Sequence, residues 1–174
     1  EDLGYMTQSV RDLVAETGYP GMKVLQFAFG SGSDNEYLPH NYTPNSVVYT
    51  GTHDNETLMQ YLECTEEHVR NHIREYMNRP HASNEELCEN LIWMAMSSVG
   101  KYCMIPLQDY LGLGKEARMN YPSTLGHNWE WRVRKEQLTH DLAGYIAHMT
   151  GLSYRWRIDP PKEEETNETD TENE

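Results

Sequence analysis

The chain has 174 residues, a net charge of −14 and 37% hydrophobic residues, with a mean hydropathy of −0.81. That is the size of one ordinary domain with thin apolar content. No stretch approaches the ~20 apolar residues of a membrane span. The opening EDLGYMTQSV has neither the basic start nor the apolar run of a secretory signal, so both classes are excluded as expectations.

The charge is unevenly spread. From Asp159 to Glu174 there are eight acids and one lysine, so half the net charge sits in that segment. Residues 158–174 have nothing to bury and are expected to form an acidic disordered tail. The rest is mildly acidic without a basic patch, which argues against a nucleic-acid partner and for an uncharged or weakly polar substrate. Cys64, Cys88 and Cys103 make neither a disulfide framework nor a metal-binding pair, and read as reduced thiols of a cytoplasmic protein.

In chain order, Ser9 and Asp12 form a capping-box-like pair ahead of Val10, Leu13 and Val14, and Gly18 with Pro20 stops that helix. Met22 to Phe29 is an almost continuous apolar run, which suits a strand buried on both faces of a parallel sheet. A polar loop follows, then a second buried strand at Val47 to Thr50. Helices are expected at Glu56–Leu62 and Thr65–Asn78. A third helix starts at the capping box Ser83/Glu86 and runs to about Val99, with Gly100 as its stop. Tyr102 to Ile105 reads as a third strand closed by Pro106. A long loop rich in Gly, Asn and Trp spans about Gly112 to Trp131, and a last helix runs from about Lys135 to Thr150.

Strands alternating with helices predict an α/β protein. Three strands with such long loops would leave an unpaired sheet edge and an open core. The expectation is therefore part of a larger barrel or sheet.

Three groups of residues can carry chemistry. Thr52-His53-Asp54-Asn55 follows a buried strand, and the C-terminal ends of parallel strands form the ligand face of such folds. Asp54 is equally placed to cap the next helix, and His53 suits a structural role as well. His53, Asp54 and Glu56 lack the spacing of a metal site. Glu1-Asp2-Leu3-Gly4 offers a carboxylate that is either a general acid or simply solvated. Arg118-Met119-Asn120 and Asn128-Trp129-Glu130-Trp131-Arg132 offer tryptophans that either anchor the loop or stack on apolar sugar faces, beside Asn and Arg donors for hydroxyls.

The blocks EDLG, PGMKVLQFAF, YLPHNY, VVYTGTHDN, IPLQDYLGLG and ARMNYPSTLGHNWEWR occur in one order. Together they closely resemble the 4-α-glucanotransferases (amylomaltase, or disproportionating enzyme) of glycoside hydrolase family 77, over about residues 1–156. The resemblance implies that residues 1–157 are the C-terminal half of a catalytic (β/α)8 barrel. It implies that Glu1 is the general acid/base and that Asp54 holds sugar hydroxyls and stabilises the transition state. His53 is then a substrate contact, and Arg118, Asn120, Trp129 and Trp131 lie near the cleft.

The implied reaction is retaining transfer of α-1,4-glucan segments to the 4-hydroxyl of another glucan or of glucose, with the two reacting carboxyl groups roughly 5–5.5 Å apart. Glu1 would act alternately as acid and base, which suits a pKa raised toward neutrality. No metal, nucleotide or organic cofactor is implied, and neither nucleic acid nor membrane is a partner. The family's nucleophilic aspartate belongs to a block that precedes EDLG, and these 174 residues do not contain it. The isolated chain is accordingly expected to be inactive and poorly stable without the N-terminal half. The alternatives are a non-catalytic α-glucan-binding module and an α-glucan hydrolase of the same clan.

Overall fold

The computed structural model describes residues 7–156, so Glu1 and residues 158–174 lie outside the described residues. Helix α1 (Gln8–Thr17) begins at Thr7, whose Oγ1 accepts from Val10 N, and ends at Gly18 in the left-handed conformation. The sequence pointed to Ser9 as the cap. Thr7 takes that role because its backbone is the extended one preceding the first turn.

Strand β1 (Gly21–Val24) is only half the length expected. After Val24 the chain tightens into a 3-10 turn over Leu25–Phe27. An apolar run does not by itself separate a strand from a buried turn. Here the turn sends Leu25, Ala28 and Phe29 into the core, leaves Phe27 exposed, and frees Gln26 to reach the loop described below.

Strand β2 (Ser46–Tyr49) pairs with β1, and strand β3 (Tyr102–Met104) with β2, both in parallel, in the order β1-β2-β3. Met22 is opposite Val47, and Val47 opposite Tyr102. Parallel pairing requires long crossovers. Between β2 and β3 the crossover is made by α2 (Leu58–Cys64), α3 (Glu67–Tyr76) and α4 (Asn84–Met96). A short α5 (Leu107–Tyr110) follows β3, and α6 (His140–Leu152) closes the described chain. The single helix expected from Lys135 is two elements, a 3-10 turn at Lys135–Gln137 and α6, whose start Thr139 caps by accepting from Leu142 N.

The core lies between one face of the sheet and the helices. Val48, Leu58, Leu62, Ile73, Leu87, Leu91 and Ile92 are buried there with Leu25, Phe29 and Leu38. Helix α4 packs against α2, α5 and α6, which explains its nearly all-round apolar sequence. Its capping box is complete, with Ser83 Oγ accepting from Glu86 N and Ser83 N donating to Glu86 Oε2 at 2.8 Å. Ser83→Ala should cost about 1 kcal/mol, read as a fall of roughly 2–4 °C in a thermal melt; an unchanged midpoint would mean the box holds nothing.

The helix ends at Met96, before Gly100. Gly100 serves packing instead: a Cβ there would sit 2.5 Å from Val48 Cγ2 and 3.0 Å from Ser46 Oγ.

The opposite face of the sheet is open among the described residues. Met22, Val47, Tyr49 and Met104 line a cleft of about 400 Å³ that runs to Gly51, Thr52 and His53. Met104 is 53% exposed.

Candidate active site

The segment from Thr50 to Thr57 joins the C-terminal end of β2 to α2. It is a tight loop because Asn55 N donates to the Thr52 carbonyl (3.2 Å) while Asn55 Oδ1 accepts from both Thr52 N (2.9 Å) and Thr52 Oγ1 (2.8 Å), closing a turn over the two intervening residues. His53 and Asp54 occupy the crest, with side chains 47% and 42% exposed. The cap of α2 is Thr57, whose Oγ1 accepts from Gln60 N, so the N-cap reading of Asp54 falls away and its carboxylate stands half exposed beside His53, which lines the cleft.

The loop is held by partners distant in sequence. Asn120 Nδ2 donates to Asp54 Oδ1 at 2.7 Å. His53 Nε2 lies 3.3 Å from the same oxygen. Arg118 spends its guanidinium on the protein: Nη1 to Glu56 Oε1 (2.6 Å), Nη2 to the Asp54 carbonyl (2.8 Å) and Nε to the Asn120 carbonyl (3.0 Å). Its plane also lies 4.3 Å over the Tyr121 ring, a stacking that suits a planar cation. From beneath, Gln26 Nε2 donates to the Glu56 carbonyl (2.9 Å). Gly51 must be glycine for that approach, since a Cβ would meet Gln26 Nε2 at 2.5 Å.

The segment from Gly112 to Arg132 lies over this loop. Trp129 stands at φ +66, an uncommon conformation for a bulky side chain. Its N–H donates to the Met119 carbonyl at 2.6 Å, and its carbonyl accepts from Arg132 Nη1 at 2.7 Å. The ring is half exposed and lies 5.0 Å from the His53 ring, tilted by 38°. Trp131 is partly buried in the same segment, and its carbonyl shares Arg132 Nη1 (2.8 Å). The structure thus gathers His53, Asp54, Arg118, Asn120 and Trp129 at one end of the sheet. Glu1 lies outside the described residues.

Asp109 was not singled out from the sequence. It is 3% exposed, accepts from Thr50 Oγ1 (2.6 Å) and Leu58 N (2.8 Å), and has its pKa pushed up to about 6 by burial, against the lowering effect of those two hydrogen bonds. Its signal was the one charged residue in the IPLQDYLGLG block.

Chemically, the site offers a half-exposed carboxylate with a fixed donor on one oxygen, an imidazole beside it, an aromatic face above and an open cleft below. Among the described residues no cluster of three or more His, Cys, Asp or Glu is arranged to hold a metal, and no helix is long and apolar enough to cross a membrane.

A family model described as 4-alpha-glucanotransferase matches residues 1–139. The 4-alpha-glucanotransferase of Clostridium butyricum is 44% identical over 87% of this chain and 31% of its own length. The chloroplastic/amyloplastic 4-alpha-glucanotransferase of Oryza sativa subsp. japonica is 47% identical over 87% of this chain and 25% of its own. An amylomaltase structure from Streptococcus agalactiae, in complex with acarbose, superposes with a TM-score of 0.82 at 34% identity, over 89% of this chain and 31% of that one. The chain therefore spans a quarter to a third of the relatives it matches. With a parallel α/β sheet, a match from residue 1 to 139 and relatives alike in sequence and in shape, the chain belongs to the 4-α-glucanotransferase family of glycoside hydrolases.

Proposed function

We propose that residues 1–157 form the C-terminal portion of a catalytic (β/α)8 barrel that transfers α-1,4-glucan segments between glucans by a retaining double displacement. The observation that carries this is the Asp54 carboxylate, half exposed at the C-terminal end of a parallel strand and held at one oxygen by Asn120, in a chain of this family. Catalytic groups of such barrels stand at those strand ends. The open apolar face at Met22, Val47, Tyr49 and Met104 supports a sheet that continues into a closed barrel.

In this reading a glucan lies across the crest of the loop. Trp129 offers its ring to an apolar sugar face. His53 and the free oxygen of Asp54 take sugar hydroxyls. Asp54, as a carboxylate, opposes the positive charge that develops at the sugar ring. Asn120 aims that carboxylate, while Arg118 and Trp131 fix the covering segment. Glu1 protonates the departing glycosidic oxygen and then takes the proton of the acceptor 4-hydroxyl. The nucleophilic aspartate is supplied from outside these 174 residues, so the chain alone is inactive. The Streptococcus agalactiae relative is a complex with acarbose, which supports a glucan ligand here. The free thiols of Cys64, Cys88 and Cys103 support a reducing, cytoplasmic setting.

The test is a chimera in which this chain replaces the matching segment of the Clostridium butyricum relative. Incubated with maltotriose, it should yield glucose and longer maltooligosaccharides, while the 174-residue chain alone yields neither. Shorter sugars without longer ones would make the protein a hydrolase, and binding without turnover would make it a glucan-binding module.

A further inference from the structure

We propose that Asp109 is the positioning residue of the 51–57 loop, a clamp that sets the distance between the loop's two ends and so aims His53 and Asp54. The inference rests on the reading that those two residues meet the substrate.

The geometry is specific. The loop leaves the sheet at Thr50 and enters α2 at Leu58, and one carboxylate binds both points, Oδ2 taking Thr50 Oγ1 and Oδ1 taking Leu58 N. All three residues are buried. The backbone that carries it is itself anchored: the Asp109 main-chain carbonyl accepts from Gly112 N (3.1 Å) and from Cys88 Sγ of α4 (3.7 Å). Among the described residues no cation pairs with Asp109. A buried carboxylate without a counter-charge is costly; Thr57 satisfies only Gln60 N at the start of α2, so one Asp109 oxygen takes a further amide of that first turn, while the other, on Thr50, does nothing for the helix and serves the loop alone.

What the carboxylate adds is a short, double-ended tether across the base of a loop whose crest is half exposed. Gln26, Arg118 and Asn120 hold the loop only at Asp54 and Glu56. Without the basal tether, Thr50 and Leu58 can drift apart, and the crest moves with them. A displacement of about 1 Å at a reacting centre costs on the order of 10²-fold in rate.

The experiment uses the chimera described above, with kcat and KM for maltotriose disproportionation measured per folded molecule and amide hydrogen exchange read in parallel. Asp109→Ala should lower kcat about 30-fold with KM within about 3-fold, because the aim of groups that act in the transition state is lost rather than uniform binding. Thr50→Val, close in size, removes one end of the tether and should lower kcat about 10-fold by the same loss of orientation. Asp109→Asn should stay within about 3-fold of the parent, since its amide oxygen accepts from Leu58 N and its amide N–H donates to Thr50 Oγ1. Amides of residues 51–58 should exchange faster in the Ala and Val variants and not in the Asn variant, with the α4 core unchanged.

Unaltered kcat in both the Ala and Val variants, or an Asn variant as impaired as the Ala variant, overturns the clamp. If the parent chimera shows no transfer, the proposed reaction is what fails. The exchange pattern then judges the clamp alone, and unchanged protection at residues 51–58 would refute it.

Discussion

Asp54→Asn in the chimera should lower kcat for glucan transfer by about 10³-fold, the scale on which removing a group aimed at developing charge acts. The substitution leaves volume and loop geometry nearly intact, so the thermal midpoint should barely move; half-exposed loop positions away from the core seldom shift stability by more than about 0.5 kcal/mol. What disappears is the negative charge facing the sugar. The hydrogen bond from Asn120 Nδ2 to Oδ1 (2.7 Å) survives if the new amide presents its oxygen there, which turns its N–H donors toward the sugar ring. Asn120→Ala, which only releases the carboxylate from its orientation, should cost about 10-fold by comparison. A chimera carrying Asp54→Asn with kcat within tenfold of the parent would remove Asp54 from the chemistry and with it the proposed role of the whole loop.

The largest effect on stability should come from Asp109, and it should depend on pH. Burial pushes this carboxyl up to about 6 from 3.8, against the hydrogen bonds from Leu58 and Thr50. The folded state therefore holds the proton more tightly than the unfolded chain. The stabilisation that follows is fully present below about pH 4 and is lost as pH rises through 6. Two pKa units correspond to about 3 kcal/mol.

Asp109→Asn removes this dependence. The stability of the Asn chimera relative to its parent should thus grow by up to about 3 kcal/mol between pH 4 and pH 7.5. The comparison of two variants matters because other acids act oppositely. For Glu36, burial is outweighed by Lys23 and Arg11, and Glu67 is held down by Arg70 and Arg74. Thermal melts of both proteins across that range read the difference directly. A gap independent of pH would mean that the buried carboxyl titrates as it does in water.

Local features were legible without coordinates. Ser83 and Glu86 announce the start of α4 because a capping box is satisfied within four residues. Gly18 marks the end of α1 for an equally local reason, its left-handed backbone. Strands β2 and β3 were found from short β-branched and apolar runs between turn residues. Where the sequence misled, a distant contact decided. The MKVLQFAF run bends after Val24 because Leu25, Ala28 and Phe29 find the helix-side core. Gly100 is set by the approach of Val48 and Ser46, 52 and more residues away.

By itself, the sequence determined that this is an α/β chain with parallel strands, that it carries the ordered blocks of one glycoside hydrolase family, and where α4 begins. These depend on propensity, capping and alternation within a few residues of one another. Only the tertiary structure decided that Asn120 reaches Asp54 across 66 positions, that Arg118 turns its guanidinium inward to Glu56 and two carbonyls, and that Asp109 ties Thr50 to Leu58. The physical reason is that a hydrogen bond between remote residues leaves no periodic trace in the chain: its donor and acceptor meet only once the sheet, α2 and α5 have packed.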